Sequence, residues 1–311
     1  MSGYKALRSS SAWLDLSDRG KIRVTGDDRA RLLHAMSTND VEHLLPGQGV
    51  YAFFLTAVGR ILADACIYNL GDSLFLDTEP ETAAKLAEHL DKYIIADDAY
   101  LENETSALAC IAIEGPKMGE IAAQLGAPLP AQAYFTEAWQ DGFVARVAST
   151  GREGVRIFVP AVAKTALMER ISALNVPEAS ASEARIVRIE NGIPRYGEDI
   201  SERYLVQETQ QTHAVHTHKG CYLGQEIVER VRSRGQVHRV LMRLHIHTTV
   251  APAPGTKLMS GGNPAAEISS AEFSPALGEV AALAYVRTET AYAEPELTIA
   301  DSNPPVTATI A

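Results

Sequence analysis

At 311 residues and 33.5 kDa the chain exceeds the roughly 100–200 residues of a single domain, which predicts two or three domains, each with its own core. A hydrophobic fraction of 46%, with no apolar run near the ~18 residues of a membrane span, excludes a membrane-embedded helical protein. The net charge of -11 excludes broad electrostatic binding to nucleic acid, because a negative body repels phosphate before contact.

The N-terminal stretch MSGYKALRSSSAWLDLSDRG has neither an apolar signal core nor the acid-free, arginine-rich character of an organelle presequence, so a cytoplasmic location is expected. Next, KIRVTGDDRARLLHAM predicts a strand over 21–25 and a helix with Leu32, Leu33 and Met36 on one face. GVYAFFLTAVGRILADACIYNLGDSLFLD predicts antiparallel strands over 50–55, 61–69 and 73–77, with turns at Val58-Gly59 and Gly71-Asp72. TAAKLAEHLDKYII predicts an amphipathic helix, SALACIAIEG a buried strand, and PKMGEIAAQLG a helix with proline in its first turn. Strands at DGFVARVAS and GVRIFVP lead to a helix at AVAKTALMERISAL. SEARIVRIENG predicts a further helix, with Ser182 as N-cap and Gly192 at its end. From Val237 onward, strands such as VHRVLMRLHIH, EISSAEFS and GEVAALAYV predict an all-β terminal domain. Cys66, Cys110 and Cys221 lie far apart in sequence, which predicts free thiols in a reducing compartment.

The densest chemistry is at HKGCYLGQEIVERVRSRG. QEIVERVRSR carries a short-helix signature, with glutamate in its first turn, arginines in its last and glycine just past it. Cys221 therefore sits in the loop entering a helix N-terminus, two residues after Lys219, and both features favour thiolate. A small buried cysteine of purely structural role fits the same residues, since free cysteine is among the most buried side chains. Tyr222 offers a flat stacking surface, and Gly220 and Gly224 permit close backbone approach. His213, His216, His218 and Cys221 form a dense group of metal-ligand types, in a spacing that fits no standard zinc finger. From Lys219 to Arg243 six basic residues (Lys219, Arg230, Arg232, Arg234, Arg239 and Arg243) face two acidic ones, leaving a local positive segment able to touch tRNA weakly.

At KGCYLGQE the chain resembles the folate-binding YgfZ family, relatives of a mitochondrial iron-sulfur assembly factor and, more distantly, of the glycine-cleavage T-protein, an aminomethyltransferase. RIENGIPRYGEDI resembles the family's second signature, while LLHAMSTNDVEHLLPGQGVYAFFLTAVGRILADACIY and LGEVAALAYV are similar to its N-terminal and closing regions. The resemblance implies an α+β, T-protein-like three-domain ring: two mixed α/β domains, drawn from 1–48 with 128–235 and from 49–127, and a C-terminal β-barrel over 236–311. By position, Asp64 matches an aspartate near the reactive folate nitrogens and Glu190 a glutamate that holds the pterin. A carboxylate can accept two adjacent pterin N–H groups at once. Pairing of Asp64 with Arg60, and a solvated Glu190, are the alternatives. The same resemblance implies folate contacts from Lys219, Gly220, Tyr222, Gly224, Gln225, Glu226, Arg230 and Arg239, with the stretch Arg230 to Arg243 receiving the anionic tail. It also makes Cys221 the essential residue, as a ligand of a transient shared iron-sulfur cluster or as a thiol in redox or folate-linked chemistry. The T-protein's related lysine-glycine segment does not ordinarily continue into cysteine, so the expected role is an accessory factor for iron-sulfur assembly or repair, working with carrier or client proteins that include tRNA-modifying enzymes. A tetrahydrofolate-dependent aminomethyltransferase or demethylase is the alternative.

Overall fold

A computed structural model of the chain describes residues 2–235, 237–293, 296–300, 302 and 304–311. Three modules follow one another with one early exchange of strands. The chain opens with helix α1 (Gly3–Ser9) and strand β1 (Ala12–Asp15), then passes to β2 (Gly20–Thr25), α2 (Arg29–Met36), β3 (Gly49–Leu55), β4 (Ile61–Asn69), β5 (Leu74–Thr78), α3 (Ala83–Asp91) and β6 (Tyr100–Asn103). It continues through β7 (Leu108–Glu114), α4 (Met118–Leu125), β8 (Thr136–Trp139), β9 (Gly142–Ala145), β10 (Gly154–Pro160), α5 (Lys164–Ala173), α6 (Ala181–Glu190) and α7 (Gln225–Arg234). The last module holds β11 (Arg239–Ile246), β12 (Lys257–Ser260), β13 (Asn263–Ser274), β14 (Glu279–Arg287), α8 (Thr288–Ala291), β15 (Leu297–Ile299) and β16 (Thr307–Ile310).

The strands form two antiparallel five-stranded sheets, ordered β3-β4-β5-β2-β6 and β1-β7-β10-β9-β8, and a closed six-stranded barrel. These sheets cut across the boundaries expected at 48/49 and 127/128. β2 pairs with β5 and β6, and β1 pairs with β7, because the chain enters each sheet once before completing either. No helix among the described residues is long and apolar enough to cross a membrane.

Each sheet is covered on one face by helices and meets the other sheet on its second face. Ile22, Ala63, Ala65, Ile67, Leu74 and Leu76 pack under Leu33, Leu86 and Leu90 of α2 and α3. Ile111, Ile113, Val155 and Ile157 pack under Ala122, Leu125, Leu167 and Ile171 of α4 and α5. Period-two alternation sends the intervening side chains the other way, so Phe75 meets Phe143 and Phe158 edge-on at 5.2 and 5.4 Å between the sheets. The same alternation puts Tyr51 of β3, Asp64 and Cys66 of β4 and Asp77 of β5 on this inter-sheet face, where most side chains are apolar.

Helix boundaries differ from expectation where tertiary contacts intervene. α4 begins at Met118, two residues after Pro116, because Gly115 N donates to Glu153 O and Lys117 N to Ser10 O. α6 is capped by Ser180, not Ser182, since only Ser180 has a glutamate three residues on to complete a capping box with Glu183. The barrel docks on α6 through Arg185 with Glu272, and through Asp199, which accepts from Arg188, Ser269 and Ser270.

Candidate functional site

Between the two sheets lies a cavity of ≈ 840 Å³, lined by Tyr51, Asp64 and Cys66 from one side and by Tyr134, Arg146 and Arg156 from the other. That volume suits a drug-sized organic ligand. Asp64 is 7% exposed, and its Oδ2 accepts a hydrogen bond of 2.6 Å from the Tyr51 hydroxyl. Burial, then the nearby Glu79 carboxylate, push the Asp64 carboxyl up to about 6, against the lowering effect of Tyr51 and Arg19. The alternative pairing with Arg60 does not form, since Arg60 Nη1 donates to the Arg203 carbonyl at 3.0 Å. Tyr51, Tyr134 and His213 present three nearly parallel rings to the cavity, with centroids 5.4 to 6.4 Å apart. One wall is thus a set of flat rings with the Asp64 carboxylate hydrogen-bonded to one of them.

Beneath that wall runs a chain of ion pairs. Asp77, wholly buried, accepts from Arg19 Nε at 2.6 Å and from Arg156, and Glu79 pairs with Arg19 and with Arg195 at 2.9 Å. Burial raises the Asp77 carboxyl, but Arg156 and Arg19 outweigh it and hold the group below the usual carboxylate range.

Of the residues expected to touch a cofactor, only Asp64 lines this cavity. Glu190 is buried at the junction of α1, α6 and the barrel, where Tyr4 Oη and Ser274 Oγ each donate at 2.6 Å and Arg8 completes an ion pair. It is neither solvated nor turned toward the cavity, because Tyr4 arrives from a helix 186 residues away in sequence. Lys219 is buried too, with Nζ donating to the carbonyls of His34 and Ser37 and lying 5.0 Å over the Tyr222 ring. Burial pushes its ammonium down to about 8. Tyr222 is only 8% exposed and packs with Phe53, Leu55 and Val228, which removes it as a stacking platform. Arg230 pairs with Glu226, Arg232 with Glu229, and Arg239 with Glu208 while its guanidinium stacks 4.8 Å from the Tyr204 ring. Arg243 donates to the Glu190 carbonyl, and the side chain of Arg234 lies outside the described residues. Arg230, Arg232, Arg239 and Arg243 are therefore committed to their own helix and to the barrel seam. Gln225 Oε1 accepts from Tyr222 N at 3.3 Å, folding the turn back on itself.

Cys221 is exposed, unlike the buried Cys66 and Cys110, and sits with Gly220 on a loop outside the cavity. Burial, with a smaller push from Asp77 and against the pull of Arg156 and Arg19, raises the Cys66 thiol to about 11. Lys219 anchors one end of the Cys221 loop to the C-terminal carbonyls of α2. At the other end Gly224 (φ +81) caps α7, and a Cβ there would meet Thr56 O at 2.7 Å and Gly59 Cα at 3.2 Å. Gly59 is as tightly met, since its Cβ would lie 2.7 Å from Ile227. Among the described residues no three histidine, cysteine or acidic side chains are grouped to hold a metal. Lys219→Met is expected to destabilise the protein by about 1–3 kcal/mol, since two buried carbonyls lose their donor. Urea unfolding checks this, and an unchanged midpoint counts against the anchoring role.

Residues 2–219 match the GCVT N-terminal domain, and residues 239–311 match the glycine cleavage T-protein C-terminal barrel domain. The chain belongs to the glycine cleavage T-protein family. It is 27% identical to an aminomethyltransferase of Rubrobacter xylanophilus over 296 residues, covering 92% of this chain and 79% of that one. It is also 27% identical to an aminomethyltransferase of Nostoc over 305 residues, covering 93% and 80%. The fold matches the crystal structure of glycine cleavage system aminomethyltransferase T from Bartonella henselae with a TM-score of 0.90, at 21% identity, over 99% of this chain and 87% of that one. Within this T-protein fold the ring wall (Tyr51, Tyr134) and the ion-pair chain (Arg19, Asp77, Glu79, Arg156) went unread in the sequence. Tyr51 had a signal: drawing the β3–β4 hairpin register sets Tyr51 opposite Cys66 and diagonal to Asp64.

Proposed function

We propose that this chain is a folate-binding accessory factor of the YgfZ type, in which the inter-sheet cavity holds the tetrahydrofolate head and Cys221 works at the surface on iron-sulfur carrier or client proteins. The observation that carries the reading is the separation of the two groups: Asp64 faces a ring-walled cavity, whereas the exposed thiol lies outside it. The residues fit a folate. Asp64 keeps unused acceptor capacity beyond its bond to Tyr51, enough for two pterin N–H donors, and the parallel rings suit a flat heterocycle. A cluster at Cys221 would draw its other ligands from a partner, as no grouped ligand set stands beside it among the described residues.

Asp64→Asn tests the pocket. Loss of a hydrogen bond to a charged group is worth about 1.5–3 kcal/mol, so tetrahydrofolate affinity should fall roughly tenfold or more in calorimetric titration. The pH dependence has a definite sign. The ligand prefers ionised Asp64, so wild-type affinity should hold above about pH 7 and weaken as pH falls through 6, while Asp64→Asn should be flat over that range. Folding runs the other way. A carboxyl raised from 3.8 to about 6 contributes stability below its unfolded value that is lost as pH rises through 6, so Asp64→Asn should be no less stable than wild type at pH 7. Equal affinity of the two proteins for tetrahydrofolate at pH 7 would sink the pocket assignment.

A one-carbon transferase is the second reading, favoured by the same carboxyl, whose raised value suits proton transfer near neutral pH. Turnover of an aminomethyl or N-methyl donor, lost in Asp64→Asn and kept in Cys221→Ala, would select it.

A further inference from the structure

We infer that Arg152 is the residue that receives the anionic tail of the cavity's ligand and sets the site's preference for a full folate over a bare pterin head, an inference that rests on the folate reading above. Among the described residues six other arginines line the cavity, and each is committed to the chain itself: Arg19 and Arg156 converge on Asp77, Arg195 holds Glu79 and Glu81, Arg185 and Arg188 share Glu198, and Arg146 reaches Glu153. Arg152 also lines the cavity, and among the described residues it forms no ion pair and no hydrogen bond; its Nε is buried with no partner. A buried guanidinium N–H left unmade is costly, and a carboxylate is the group whose planar geometry matches it.

The backbone that carries Arg152 is held in place before any ligand arrives. Glu114, wholly buried on β7, accepts from Ser149 N at 2.8 Å and Thr150 N at 2.9 Å, and Asn191 Nδ2 donates to Thr150 O at 2.7 Å. The segment between β9 and β10 is thus fixed two residues before the free guanidinium, which limits the ordering cost of binding. Asp64 and Arg152 come from opposite sheets and line one cavity, so an amphiphilic ligand with a hydrogen-bonding ring at one end and a carboxylate at the other spans both. Among the described residues, none of the stretch from Arg230 to Arg243, which the sequence offered for the tail, lines the cavity.

Calorimetric titration with tetrahydrofolate and with 6-methyltetrahydropterin, which has the ring but no tail, tests the assignment on wild type, Arg152→Gln and Arg152→Lys. Arg152→Gln should weaken tetrahydrofolate by about tenfold to a hundredfold and the tail-less ring by less than about twofold, with Arg152→Lys in between. Unchanged tetrahydrofolate affinity in Arg152→Gln, or equal loss of both ligands, overturns the assignment while leaving the folate pocket standing. A wild-type protein that binds neither ligand overturns the folate reading and this inference with it.

Discussion

Replacing Cys221 with alanine should reduce the activity of iron-sulfur enzymes in a deletion strain to the level of an empty vector, while leaving tetrahydrofolate affinity within about twofold of wild type. The thiol is exposed and lines no part of the cavity, and an exposed side chain without partners contributes within about 0.5 kcal/mol to stability. Folding and the pocket should therefore be untouched, and any loss belongs to chemistry at the surface. The loop is also presented with some rigidity: Lys219 ties it to the end of α2, and the ten residues of α7 follow three positions after Tyr222, with their amide dipoles toward the loop. Rescue equal to wild type would end the proposed role for Cys221 and move attention to Asp64.

Asp77→Ala should destabilise the protein by about 3–5 kcal/mol, because it leaves Arg19 and Arg156 buried without the carboxylate they share. Arg19 lies between β1 and β2 while Arg156 is on β10, so the loss falls on the contact between the two sheets. Fluorescence and near-ultraviolet dichroism in urea should show the aromatic interface of Phe75, Phe143 and Phe158 loosening first. The acid side follows the same group. Its carboxyl is held below the usual range, so the stability it brings is present above the ordinary aspartate value and lost as pH falls through the depressed one. A cost under about 1 kcal/mol would show that other contacts hold the sheets together.

Much of the fold was legible because its strands and turns obey local rules. The β3–β4–β5 meander, the α7 helix with its terminal Gly235 and the β-rich C-terminal module all announce themselves by period and by glycine placement. Sheet membership was not legible, since β1 and β2 choose different partners far along the chain, and no local property of AWLD or GKIRVT records that choice. Of the residues singled out in the sequence for ligand contact, Asp64, a carboxylate that interrupts an apolar strand, is the one that lines the cavity. Glu190 and Lys219, whose sequence neighbourhoods suggest ligand contacts, lie away from that cavity, with their charges taken up by Tyr4, Arg8 and the carbonyls at the end of α2, partners that are remote in sequence. Arg152 carries no sequence signal: it is singled out by what every other cavity arginine already holds.

The close approach of Gly59 and Gly224 has a mechanical consequence. The β3–β4 hairpin is paired from Gly49 with Tyr68 to Leu55 with Ile61, with a register shift between Phe54 and Leu55 near its tip. Its shaft carries Tyr51 and Asp64 into the cavity, and its tip is pressed against the first turn of α7, where the thiol loop ends. The strands that line the cavity and the turn that follows Cys221 are therefore in direct backbone contact, and a side chain at either Gly59 or Gly224 would push the two apart. Pocket and thiol stand apart in chemistry yet meet at one hairpin tip.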